Sequence, residues 1–329
     1  MKFEYLCHIK LYTRLHFNIL PLGNEFAIVS RVFPSITKLI QYFVTTKSTI
    51  STLHDVFLRD PVPRSWWELD FTSIARDKRI GSGDFGEVFS GTMKTKNELL
   101  KVAVKEAEAE ASIMRKHAHD QIVKFHGICL FRDPILIVME LSPHGSLDRH
   151  LKKNKAIAIN VRLGYAVDTA SGLTYLHNQF CLHRDVASRN LLLFTSQDNV
   201  GHVKISDFGQ AVILKPEETK FILEDQNTPL PIRHLAPETL RSAVFSYNTD
   251  VYTYGVTLIE IFGEGETPYL GFQTKKAANL IKQGIPPVHH LQTPPEILEV
   301  LTQKYFPRPP SKRAHMKDLH ILIKKFMKI

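Results

Sequence analysis

Between residues 79 and 140 the apolar residues of this 329-residue chain fall in short β-branched runs, and from residue 163 onward they recur at helical spacing. Strand runs followed by helix runs define an α+β architecture, here a small sheet lobe ahead of a large helical lobe. The strand-like runs are Arg79-Ile80, EVFSGT (87–92), LLKVAVK (99–105) and ILIVME (135–140), rich in residues that suit a pleated, half-buried surface. In the helical part Leu163, Ala166, Val167, Ala170, Leu173 and Leu176 share one stripe. Val251, Tyr254, Gly255, Leu258, Ile259 and Phe262 form another, in a segment apolar nearly all round. Such a segment predicts a helix in the middle of its lobe.

One break interrupts the pattern. In LRDPVPRSWWELD (58–70), Pro61 and Pro63 flank Val62 ahead of Trp66 and Trp67. The prolines favour extended backbone and forbid a continuous helix, so the stretch reads as an interdomain linker. About 60 residues precede it, too few for a comfortable independent core, and about 258 follow. Apolar residues at 43% and charged residues at 23% exclude a disordered or collagen-like chain. Cys7, Cys129 and Cys181 are too few and too scattered for a disulfide scaffold and point to a reducing compartment. No run of about 18 apolar residues could span a membrane, and the charges within MKFEYLCHIKLYTRLHF argue against a signal peptide. The net charge of +9 is dispersed, without an RNA-binding motif, helix-turn-helix signature or zinc spacing. It reads as a solvated surface, and no nucleic-acid partner is expected.

Gly81, Gly83 and Gly86 make a GxGxxG string. Alone it fits a dinucleotide-binding turn, a kinase glycine loop or an ordinary hairpin. A dinucleotide fingerprint opens a helix, whereas Glu87, Val88 and Phe89 continue as strand, so these glycines sit in a hairpin. Without Cβ atoms there, backbone N–H groups can approach phosphate oxygens. Lys105 closes VAVK farther on. A buried ammonium at a strand end needs anions, which nucleotide phosphates supply; the bland alternative is a solvated edge lysine.

HRDVASRN (183–190), DFG (207–209) and APE (236–238) follow the glycine string in order. With that order and context, residues 72–329 resemble the protein-kinase family. The resemblance implies a bilobal fold, with an N-lobe over 72–141 and a C-lobe over 142–329, and ATP and Mg²⁺ as cofactors. It implies that Gly81, Ser82, Gly83, Asp84, Phe85 and Gly86 cover the phosphates and that Lys105 holds two of them. Val88, Ala103 and Leu192 would enclose the adenine, Glu140, Leu141 and Ser142 would form the hinge, and Met139 would narrow the back pocket. Asn190 and Asp207 would ligate Mg²⁺ through hard oxygens, and Asp185 would accept the substrate proton, with Arg189 beside it. His183 and Phe208 read as packing residues, and Glu238 and Arg313 match the family's C-lobe ion pair. Ala187 and Arg189 follow Asp185 as in the tyrosine kinases' HRDLAARN, and PIRHLAPETL (231–240) resembles their PIRWLAPE, with His234 in place of Trp. Tyrosine-bearing proteins are therefore the expected substrates.

Residues 33–64 resemble the C-terminal half of an SH2 domain, with His8-Ile9-Lys10-Leu11 as its central strand and GNEFAIV (23–29) as the next. The implied organisation is a truncated SH2-like segment at 1–60, a linker at 61–71 and a tyrosine kinase, most like the Fes/Fer-like non-receptor group. A cytoplasmic location, peripheral membrane contact included, goes with it. The arginine-bearing strand of the module is absent, and His8 and Lys10 do not reproduce a bidentate guanidinium fork, so phosphotyrosine-peptide binding is expected to be lost or very weak. Two further departures bear on catalysis. The family's strand lysine pairs with a helix glutamate well over ten residues on, whereas the matching EASIM (110–114) puts Glu110 five residues after Lys105. A helix begun at Glu106 would point the two apart; a tight turn at 106–108 and a shortened helix would let them pair. Glu110 then either turns inward with Ala107, Ala111 and Met114 or stays solvated. No tyrosine lies between Asp207 and Glu238, and Phe221 stands near its usual place, so the loop is set another way, through Thr219 or Thr228 for instance, or activity is constitutively low. The rival functions are a non-catalytic kinase-fold scaffold and an incomplete version of a longer SH2-kinase.

Overall fold

The computed structural model describes residues 4–5, 17–29, 31–51, 56–58, 65–83, 86–106, 110–130, 134–195, 201–225, 228–290 and 293–327. The chain divides into two units, Met1–Ser65 and Trp66–Ile329. In the first, β1 (Glu4–Tyr5) pairs with β2 (Phe17–Asn18). Strands β3 (Leu20–Leu22), β4 (Glu25–Ile28) and β5 (Arg31–Phe33) form an antiparallel meander, followed by helix α1 (Ile36–Thr46). Ser35 caps α1, its hydroxyl accepting the Lys38 N–H at 3.2 Å. Helical spacing then lays Leu39 and Phe43 against Ile28, and Ile50 and Val56 complete the core. The strand expected at His8–Leu11 and the prolines of the linker lie outside the described residues.

The second unit opens with a five-stranded antiparallel sheet in the order β6-β7-β8-β10-β9. Its strands are β6 (Ile74–Gly83), β7 (Gly86–Lys94), β8 (Leu99–Glu106), β9 (Phe125–Cys129) and β10 (Leu136–Glu140), with a single helical turn, α2 (Ala111–Met114), between β8 and β9. Alternation along β8 sorts the two faces. Val102 and Val104 join Met93, Cys129, Leu136 and Val138 on one side, while Ala103 packs with Ile137 and Met139 in the main core on the other. Trp66–Phe71, read above as the end of the linker, belong to this unit. The Trp67 carbonyl accepts the Ile128 N–H at 2.7 Å, and the Leu69 N–H donates to the Ile128 carbonyl at 2.8 Å. Gly127 allows this approach: a Cβ there would lie 2.6 Å from the Trp67 oxygen.

The larger lobe carries α3 (Leu147–Lys153), α4 (Ile159–Asn178), β11 (Cys181–Leu182), β12 (Leu191–Thr195), β13 (Gly201–Ile205), β14 (Val212–Ile213) and β15 (Lys220–Ile222). Beyond them come α5 (Pro237–Ser242), β16 (Val244–Ser246), α6 (Tyr247–Phe262), α7 (Thr274–Gln283), α8 (Pro295–Val300) and α9 (Met316–Phe326). Helix α6 is central, buried at every position from Thr249 to Phe262. Each large apolar side chain it buries contributes roughly 1.5–3 kcal/mol. Three two-stranded pairs, β11–β14, β12–β13 and β15–β16, pin the intervening loops to this lobe.

Candidate active site

Strand β8 carries Lys105 to the edge of the cleft, with only 6% of the residue exposed. Its Nζ donates to Glu110 Oε1 at 2.7 Å and to Asp207 Oδ1 at 3.0 Å. The helix does not begin at Glu106. Strand β8 runs through that residue, and Glu110 is the N-cap of α2, with helical φ and ψ. The extended backbone leaves the spacing within reach; Ala107 and the rest of 107–109 lie outside the described residues. Burial pushes the Glu110 carboxyl up to about 7 against the opposing pull of Lys105. Burial is the largest influence on Asp207 and works against its ionisation, but the Lys105 charge and hydrogen bonds from Glu110, Lys105 and the Gly209 N–H together hold that carboxyl below its ordinary value. Burial would lower the Lys105 ammonium, yet its two carboxylates raise it.

Asp185 lies between β11 and β12. One carboxylate oxygen meets the Arg189 guanidinium, and Asn190 Nδ2 donates to the other at 2.7 Å and to the Asp185 carbonyl at 2.8 Å. The Asn190 carbonyl accepts both the N–H and the hydroxyl of Ser206, each at 2.9 Å, which ties this loop to the residue before Asp207. His183 is fully buried, its ring 5.2 Å from Phe208 and its Nε2 3.1 Å from the Ser206 carbonyl. Farther along, Arg313 NH1 and NH2 grip the two oxygens of Glu238 at 2.5 and 3.0 Å.

Register places the expected nucleotide-enclosing residues on one face of the sheet. Val88 is opposite Lys105, and Ala103 is opposite Met139. At the lobe junction the Glu140 carboxylate accepts the Lys124 N–H at 2.7 Å and pairs with Lys204, so its side chain is committed away from a ligand and its backbone is what the cleft can use. Ser142 donates to the Leu193 carbonyl at 2.7 Å, and Ser146 bridges to Leu192, so Leu141 and Leu192 lie on adjoining segments. Gly81 pairs with Val88, Ser82 with Glu87 and Gly83 with Gly86 in the hairpin; Asp84 and Phe85 lie outside the described residues. Gly86 has φ +126°, and a Cβ there would sit 1.9 Å from the Glu106 carbonyl oxygen, so only glycine fits.

Two buried carboxylates that sequence reasoning passed over hold the loop around Asp185 in place. Asp250 accepts the His183 N–H at 2.9 Å and the Arg184 N–H at 3.0 Å. Glu260 accepts the Ser188 N–H at 2.9 Å. The signal was available: two acids inside a helix buried from Thr249 to Phe262 must find donors.

The glycine hairpin, the paired lysine and the Asp185–Asn190 loop, set between a small sheet lobe and a large helical lobe, define a protein kinase. The chain belongs to the protein tyrosine and serine/threonine kinase family, whose model matches residues 74–323. Its architecture is the bilobal fold of that family. Fer-related kinase 1 of Caenorhabditis elegans is 34% identical over 328 residues, covering 94% of this chain and 80% of its own. Tyrosine-protein kinase Fer of Rattus norvegicus is 32% identical, covering 93% of this chain but 38% of its own. The human tyrosine-protein kinase FRK is 31% identical over 79% of this chain and 55% of its own.

Proposed function

We propose that this chain is a non-receptor protein-tyrosine kinase that transfers the γ-phosphoryl group of ATP to a tyrosine hydroxyl of a protein substrate. The observation that carries the reading is the convergence of Glu110 and Asp207 on Lys105 Nζ, at 2.7 and 3.0 Å, since a scaffold with a disabled N-lobe has no need of that contact. Phosphoryl transfer asks the protein for positioning and charge neutralisation. Lys105 would hold the α- and β-phosphates, and the glycine hairpin would cover them. Asp185, oriented by Arg189 and Asn190, would take the tyrosine proton as the oxygen bonds to phosphorus and ADP leaves. Asn190 spends its Nδ2 on Asp185, which leaves its amide oxygen, with the Asp207 carboxylate, as a hard donor set suited to Mg²⁺. When bound, the metal supplies neutralisation of phosphate charge.

Tyrosine is preferred over serine because Ala187 and Arg189 occupy the positions after Asp185 that resemble the tyrosine-kinase pattern, and because the rat and human relatives are named tyrosine-protein kinases. Residues 1–60 are read as SH2-like, joined by a linker, with tyrosine-bearing proteins as partners and weak phosphotyrosine capture at most. Among the described residues no helix is long and apolar enough to cross a membrane, and a cytoplasmic setting is the one proposed. The test is incubation with Mg-ATP and a Glu/Tyr polymer, with Asp185→Asn and Lys105→Met as controls. Phosphotyrosine formed by the wild type alone is the expected result; a rate equal to that of the controls would remove the enzyme reading.

A further inference from the structure

Arg184, the residue before Asp185, is 9% exposed, and its guanidinium lies against two phenyl rings. Its Cζ is 4.6 Å from the Phe221 centroid and 4.8 Å from that of Phe245. These rings are cross-strand partners, because Phe221 on β15 is directly opposite Phe245 on β16. Arg184 also donates to the Gln210 carbonyl through Nε and to Gln210 Oε1 through NH2, the latter at 3.1 Å. Its NH1 is buried with no hydrogen-bond acceptor. Among the described residues no carboxylate forms an ion pair with it. Burial pushes the guanidinium down to about 10, the mark of a desolvated cation, and desolvation is where cation–π contacts are strongest.

Residues 210–223 therefore touch the loop around Asp185 through one cation. The same segment is pinned at both ends: β14 pairs with β11, and the Leu223 N–H donates to the Ala243 carbonyl at 3.0 Å. Leu214 packs with Leu182, Leu235 and Phe245, and Val212, Phe221 and Leu223 pack onto that cluster. A phosphate orders such a segment by adding charge opposite an arginine. Here no tyrosine lies between Asp207 and Glu238, and an aromatic face already occupies the arginine.

We propose that Phe221 is a positioning residue, ordering residues 210–223 against the Asp185 loop through Arg184, so that the loop reaches its working arrangement without a phosphate. This rests on the tyrosine-kinase reading for its kinetic consequence but not for its structural one. The full chain, treated with a phosphatase, is assayed with Mg-ATP and a Glu/Tyr polymer, and backbone amide exchange is followed across residues 210–223. Expected are an undiminished rate after phosphatase and, in Phe221→Leu, a fall in kcat of about tenfold with the KM for ATP little changed. Exchange over 210–223 should quicken by a similar factor in that variant. Phe221→Tyr, which keeps the ring, should restore both, and Arg184→Lys, which loses the planar cation, should reproduce the loss. A Phe221→Leu chain with wild-type kcat and exchange would overturn the proposal. So would loss of activity on phosphatase treatment that Thr219→Ala reproduces. A wild type that transfers no phosphate under any condition would end the kinase reading, while the exchange comparison would still decide the role of Phe221.

Discussion

His234 sets its Nε2 3.1 Å from Oε1 of Glu260, both residues being buried, while the second Glu260 oxygen holds the Ser188 N–H. On the other side of the ring, Nδ1 lies 3.5 Å from Arg189 NH1, whose guanidinium meets Asp185. The charged partners of the imidazole are thus Glu260 from α6 and Arg189 from the loop after Asp185. Arg233, its neighbour in sequence, points elsewhere and donates to the carbonyls of Pro268, Tyr269 and Phe272. A ring protonated only at Nε2 faces the carboxylate and leaves Nδ1 to accept from Arg189.

Removing the ring should loosen Arg189 from its place beside Asp185. His234→Ala takes away the nitrogen that Arg189 NH1 meets at 3.5 Å and should raise the peptide KM severalfold, with the KM for ATP little changed. Steady-state kinetics with each substrate varied in turn check it. An unchanged peptide KM would sink the idea.

Glu110→Gln removes a charge beside Lys105 and keeps an oxygen for the ammonium. Burial already raises the Glu110 carboxyl to about 7, so ionising it disfavours the native state and a neutral amide escapes that cost near neutral pH. With Asp207 still 3.0 Å from the ammonium, stability should change by less than about 1 kcal/mol, while kcat/KM falls severely. Denaturant unfolding and a rate assay on one preparation separate the two effects. A variant with the wild-type rate would show the pair to be incidental.

Asp168 offers a test of pH and stability away from the cleft. Burial raises its carboxyl from 3.8 to about 6, against the Val203 N–H it accepts at 3.0 Å. Between those values the native state binds more protons than the unfolded chain, so stability falls as pH rises. The contribution is full below the unfolded value and is lost once pH passes about 6. Asp168→Asn keeps an oxygen for Val203 and carries no charge. Discounted for partial exposure, it should be about 1–2 kcal/mol more stable than the wild type above that range and equal near pH 4. Urea midpoints at the two pH values measure this; a gain of the same size at both would point to packing instead.

The long elements were legible because their periods are strong. Leu163 to Leu176 mark α4, and Val251 to Phe262 mark α6. Strand β9 was not, because His126 and Gly127 break its run and its partner β10 lies beyond another loop. The Lys105–Glu110 question stayed open in the sequence because EAEAEAS suits a helix, and only the sheet's hold on β8 keeps Glu106 extended. Asp250 and Glu260 escaped for a related reason. Their partners, His183, Arg184 and Ser188, sit some seventy residues away along the chain, and a period count sees only the helix they interrupt. Trp66–Phe71 read as linker on proline grounds, yet the two tryptophans were the better guide, since Trp67 lies under the Arg115 guanidinium at 4.9 Å.

The two carboxylates around Lys105 differ in how far the chain must wander to bring them there. Glu110 is 5 residues away and Asp207 is 102. Closing the short loop costs little chain entropy; closing the long one costs more and waits for distant segments to meet. The ammonium is therefore shared between an early partner and a late one. The first contact joins strand β8 to the helical turn that follows it, and the second reports that both lobes have folded and come together.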